Sequence, residues 1–88
     1  MEINELANLK YLYLSGNQLK SIPENIQQLQ NLKWLGLGRN QITELPKSLF
    51  NLPNLEWLDI SENPITPEKV EEIRKQMPHI KVVFEGEE

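Results

Sequence analysis

"NLKYLYLSGNQLKSIPENIQQLQ" (residues 8–30) returns as "NLKWLGLGRNQITELPKSLFNLP" (31–53) and again, cut short, as "NLEWLDISENPIT" (54–66). The offset is 23 residues: Leu9, Leu32 and Leu55 correspond, as do Leu12, Leu35 and Leu58, Asn17, Asn40 and Asn63, and Leu19, Ile42 and Ile65. The later half of the unit repeats as well, with Ile22, Pro23, Ile26 and Leu29 matching Leu45, Pro46, Leu49 and Leu52. Ile3 and Leu6 stand 23 residues before Ile26 and Leu29, so the pattern opens with a partial half-repeat over 1–8. Self-similarity at a fixed period of this size marks stacked units, each unable to bury its apolar face alone.

Each unit divides into two legs. Leu12 and Leu14, Leu35 and Leu37, Leu58 and Ile60 alternate as the inward rows of parallel strands about 4.8 Å apart. The asparagines fall in a turn whose backbone groups lack ladder partners. A carboxamide carries both donor and acceptor, so an Asn17–Asn40–Asn63 column satisfies that backbone from inside. The "IP" and "LP" pairs then open a return leg, because proline fixes φ and needs no N–H partner. Apolar residues three and four apart on that leg predict a stripe packed against the back of the sheet, in a short helix or 3₁₀ turns.

"LKYLYLSGNQL", "LKWLGLGRNQI" and "LEWLDISENPI" resemble the leucine-rich repeat, L-x-x-L-x-L-x-x-N-x-L, in its 23-residue form with a following "IP" or "LP". The resemblance covers residues 3–66, and the ending "NPITPEKVEEIRKQMPHIKVVFE" resembles the helix-and-strand terminus of short-repeat bacterial members. It implies an α/β solenoid, a short horseshoe arc with a concave parallel sheet and turns, 3₁₀ segments or short helices on the convex side. It also implies a non-catalytic module that binds a protein or peptide. One domain is expected, divided into the partial half-repeat 1–8, repeats 9–31 and 32–54, the strand part of a third over 55–66, a cap over 67–85 and an acidic tail over 86–88.

The cap reads from local chemistry. Thr66 is placed to cap a helix, Pro67 suits its first position, and Glu68 lies where the helix dipole favours negative charge. Val70, Ile73 and Met77 share a face, and Pro78 ends the helix. "HIKVVFE" follows as a last strand, Ile80, Val82 and Phe84 inward, His79, Lys81 and Val83 outward. No polar cap precedes the first repeat, so its strand has a free edge open to pairing, and the expectation is that this end is either truncated from a longer solenoid or buried in a homodimer.

Outward strand positions form columns down the stack: Tyr11–Trp34–Trp57, Tyr13–Gly36–Asp59, Ser15–Gly38–Ser61 and Gly16–Arg39–Glu62. All four Tyr and Trp residues stand in the first two. This predicts an aromatic ridge with a shallow hollow beside the glycines, and an Arg39–Glu62 cross-strand pair. Tyr and Trp offer contact area at low rotamer cost and dominate binding hot spots, although stacked rings also serve simply to cover a sheet. Tyr11, Tyr13, Trp34, Arg39, Trp57, Asp59 and Glu62 are therefore the candidate partner-binding residues, and Asn17, Asn40 and Asn63 the structural ones.

Composition narrows the partner. A net charge of −4 with scattered basic residues argues against nucleic acid, which is bound through clustered Lys and Arg. Absence of cysteine removes thiolate ligands and nucleophiles, and His79 stands apart from any ligand set. "GLGRN" lacks the spacing of a phosphate loop. No catalytic, cofactor-binding or metal-binding residue emerges, no cofactor is implied, and no apolar stretch approaches a membrane span. The acidic N-terminus is unlike a signal peptide, which leaves a cytoplasmic location, secretion by another route, or a chain that starts downstream of its signal. Two alternatives stand beside the interaction module: a structural scaffold that self-associates through the uncapped edge, and the substrate-recognition part of a larger enzyme.

Overall fold

A computed structural model describes residues 8–85. Four short strands, β1 (Tyr11–Tyr13), β2 (Trp34–Gly36), β3 (Trp57–Asp59) and β4 (Lys81–Val83), form one parallel sheet in the order β1-β2-β3-β4. The register of the first three is that of the repeat, Tyr11 beside Trp34 beside Trp57. β4 adds Lys81 beside Trp57, an offset of 24 rather than 23, because a helix replaces the return leg before it.

The return legs of the first two repeats are 3₁₀ helices, Glu24–Gln28 and Lys47–Asn51, each entered from a proline in extended conformation. Five residues are too few for α-helical bonds to outnumber the orphaned groups at both ends, so the tighter turn wins. Ile26, Leu29, Leu49 and Leu52 point from these legs into a core shared with Leu32, Leu35, Leu37, Leu58 and Ile60. In the third repeat the leg is the α-helix α1 (Pro67–Gln76). The Thr66 hydroxyl accepts from the Lys69 N–H at 3.2 Å, Val70, Ile73 and Met77 are buried, and β4 returns to close the sheet with Val82 inward.

The asparagine column is built as expected at two of its three positions. Asn40 Oδ1 accepts from the N–H groups of Asn17 and Leu19, each at 3.0 Å, while its Nδ2 donates to the carbonyls of Leu14, Leu37 and Gly38. Asn63, fully buried, accepts from Ile42 N–H and donates to Leu37, Ile60 and Ser61. Each side chain thus ties its own turn to the turn of the preceding repeat. Asn17 departs from the expectation. Exposed, it keeps a single side-chain bond among the described residues, from Nδ2 to the Ser15 carbonyl at 3.3 Å. The partial half-repeat with Ile3 and Leu6, and the tail 86–88, lie outside the described residues.

Candidate functional site

The candidate site is the concave face of the sheet. Because β-strand side chains alternate, the residues that put Leu12, Leu35 and Leu58 into the core put their neighbours on this face. Tyr11, Tyr13 and Trp34 are 49%, 56% and 42% exposed, and Trp57 is half-buried. Tyr11 meets Trp34 edge-on at 5.0 Å between ring centroids, and Trp34 lies tilted against Trp57 at 6.0 Å.

The hollow expected beside the glycines is not there. Tyr13 leans across β2 and meets Trp57 edge-on at 6.4 Å, and its ring lies over Gly36, where a Cβ would come within 2.8 Å of Tyr13 Cδ1. Gly36 is buried for that reason: it is the seat of a ring, not the floor of a depression. The four rings therefore make one continuous apolar platform spanning three strands. Edge-on and tilted pairs at these separations contribute about 0.5–1.5 kcal/mol each beyond their burial.

Around the platform the polar candidates are placed unevenly. Asp59, half-buried beside Gly36 in the register, accepts the Ser61 N–H on Oδ1 at 2.9 Å and has no ion pair among the described residues. Arg39 and Glu62 stand at the turn beyond the strands and approach one another to 3.5 Å, both well exposed. They share a feature that spacing did not reveal: Arg39 and Glu62 have φ of 58°, and Gly16, their counterpart, 73°. This turn position is left-handed in all three repeats, and the glycine of the first repeat is the signal that could have found it. Lys81 and Val83, outward by the sequence pattern, extend the Trp57 and Asp59 columns by one strand beyond the candidate residues. Asn54, whose Nδ2 donates to the Gln30 carbonyl at 2.9 Å, is a further inter-repeat tie, and the recurring "NL" openings are the signal that could have found it.

The sequence profile of the leucine rich repeat family matches residues 7–65, more than half of the chain. The chain is a leucine-rich-repeat protein. Among solved structures, this leucine-rich-repeat chain is similar to a leucine-rich-repeat protein of the bacterium Leptospira interrogans, with 45% identity and a TM-score of 0.87 over 93% of the present chain. It is also similar to human trophoblast glycoprotein (5T4, Wnt-activated inhibitory factor 1), with 28% identity and a TM-score of 0.75 over 94%. The chain spans 21% of the first protein and 31% of the second. No curated protein matches it in sequence. The α/β solenoid implied by the repeat is thus the fold. Leucine-rich repeats commonly mediate protein–protein interaction and are generally non-catalytic. Among the described residues there is no group of three or more His, Cys, Asp or Glu side chains arranged to hold a metal, and no helix is long and apolar enough to cross a membrane.

Proposed function

We propose that the chain is a non-catalytic interaction module that receives a peptide or a protein loop on the aromatic platform of its concave face. The observation that carries this reading is the exposure of Tyr11, Tyr13 and Trp34 in one cluster of rings joined to Trp57. A sheet needing only cover would be served by threonine and valine, whereas rings of this size displace much water per ordered side chain. Asp59 supplies an acceptor at the platform's margin, and Arg39 with Glu62 offers charges of both signs that orient a partner more than they hold it.

Size sets the strength. Four strands about 4.8 Å apart make a face about 15 Å wide, small beside the roughly 800 Å² per partner of a standard interface. A short segment bound weakly is the expected ligand of this surface alone. The test is a pull-down with the native chain and with the Trp34→Ala/Trp57→Ala double variant, circular dichroism showing that both are folded. A protein retained by the native chain and released by the variant, with affinity lowered about tenfold or more, supports the reading. Equal retention removes it.

A further inference from the structure

The concave face changes chemistry along the second repeat. At Gly36 it is ring: Tyr13 lies over the glycine and meets Trp57 edge-on at 6.4 Å. Two residues further, at the buried Gly38, it is oxygen. A Cβ placed on Gly38 would have the Ser61 carbonyl oxygen at 3.5 Å, Asp59 Oδ2 at 3.6 Å and Ser15 Oγ at 3.8 Å as its nearest neighbours outside the adjoining residues. The missing side chain leaves a notch walled by acceptors.

These acceptors are not equally engaged. The Ser61 carbonyl already accepts from the Arg39 N–H at 2.9 Å and from Asn63 Nδ2 at 3.2 Å. Asp59 Oδ1 accepts the Ser61 N–H, whereas Oδ2 has neither a hydrogen bond nor an ion pair among the described residues. A half-buried carboxylate has lost part of its hydration, and a cation that replaces the remaining water is held more firmly than at an open surface. Nearby charges do not supply that cation: Arg39 is matched by Glu62, and Lys81 stands in the row of Trp57 rather than that of Asp59. Residues 1–7 and 86–88 contribute Glu2, Glu5, Glu87 and Glu88 and no Lys, Arg or His, so no side chain there supplies it either.

We propose that the notch receives an arginine of the bound peptide, its stem laid along the rings of Tyr13 and Trp57 and its guanidinium on Asp59 Oδ2 and Ser15 Oγ. The inference rests on the platform reading above and names the chemistry of its ligand. Gly36 and Gly38 are about 7 Å apart along an extended chain. Rings and notch therefore fall within the reach of one long side chain whose apolar stem and charged head want different surroundings. A guanidinium suits the place better than an ammonium. It is flat and weakly hydrated, stacks on aromatic faces, and offers a fork of donors to a carboxylate oxygen and a hydroxyl together.

Two further observations favour this guest. A flat guest such as a sugar would need rings lying in one plane, and here neighbouring rings are inclined at 49° and 66°. The net charge of −4 draws cationic segments toward the chain and repels acidic ones.

The experiment titrates the full chain with short peptides that differ only at their centre, which is arginine, lysine, citrulline or glutamate, and follows amide and indole N–H shifts by NMR. The arginine peptide should move the Gly38 and Ser61 amides together with the Trp57 indole, and bind about tenfold more tightly than its uncharged citrulline isostere. Added salt should narrow that gap. Asp59→Asn keeps an oxygen for the Ser61 N–H and should make the two peptides equal. Gly38→Ala fills the notch at ordinary contact distances without touching ring or charge, and should do the same with native circular dichroism. Arginine and citrulline peptides that bind the native chain alike at the rings overturn the proposal and leave the platform reading standing. A lysine or glutamate peptide that binds as well as arginine, or an arginine preference that survives both substitutions, overturns it too. Should either variant lose native dichroism, the citrulline comparison on the native chain decides. No shift with any peptide into the millimolar range also overturns it, whereas the platform reading falls only if the Trp34→Ala/Trp57→Ala variant retains partners as the native chain does.

Discussion

The first and third repeats of this solenoid carry the same kind of residue into opposite circumstances. Leu58 and Ile60 in the third repeat are fully buried beneath α1 and β4, whereas Leu12 and Leu14 in the first are only partly covered. Asn63 has its carboxamide fully engaged, and Asn17, in the same place of the repeat, has one bond to its own turn. A leucine-rich repeat is thus not a unit of fixed stability. Its residues gain their value from the turn on either side, and the turn on the N-terminal side of the first repeat is the one they lack among the described residues.

This contrast can be broken by paired substitutions measured by urea denaturation. The largest difference is expected from leucine truncation: Leu58→Ala should cost about 3–4 kcal/mol, and Leu12→Ala about 1 kcal/mol because its site is already open on one side. Equal losses would mean that the edge is covered in solution. Next come the asparagines. Asn63→Ala leaves several buried groups unpaired and should cost about 2–3 kcal/mol, while Asn17→Ala should lie within about 0.5 kcal/mol of the native chain.

A smaller loss tests what closes the C-terminal end. Thr66→Ala removes the cap of α1 and should cost about 1 kcal/mol, with faster exchange of the Lys69 amide and little change in β1. The finest comparison uses two glutamines at equivalent positions. Gln18 has φ of 59°, whereas Gln41 is not among the residues with positive φ. Gln18→Gly should therefore stabilise by about 0.5 kcal/mol and Gln41→Gly should destabilise by about as much, since glycine relieves a left-handed residue and loosens an ordinary one. The opposite ordering would mean that the first turn takes the conformation of the second.

How much of this was legible in the letters depends on which repeat is read. Leu35, Leu37 and Asn40 have neighbours on both sides, and there periodicity predicted strand, inward face and turn chemistry correctly, because stacking imposes the same surroundings on every equivalent residue. The cap was legible for a different reason: Thr66, Pro67 and Met77 act through local bonds that spacing alone describes. The 3₁₀ form of the return legs is not legible from spacing, since a three- and four-residue apolar spacing serves either helix. Tyr13 over Gly36 was missed because a column treats each side chain as standing upright, while a ring beside a glycine is at liberty to fall across it. The left-handed Arg39 and Glu62 were missed because neither residue type announces that backbone. Asn17 carries the same letter as Asn40 and Asn63, but among the described residues it has no turn on its N-terminal side to bind.

The ring that lies across Gly36 has an optical consequence. Tyr13 belongs to the first of the described strands, yet it rests against the indole of Trp57 two strands further in. Peeling β1 from the stack would lift the phenol away and change the solvent around that indole while the leucines below stay packed. The emission of Trp57, recorded with Trp34 replaced by phenylalanine, should therefore register the loosening of the first strand at lower urea than the far-ultraviolet signal of global unfolding.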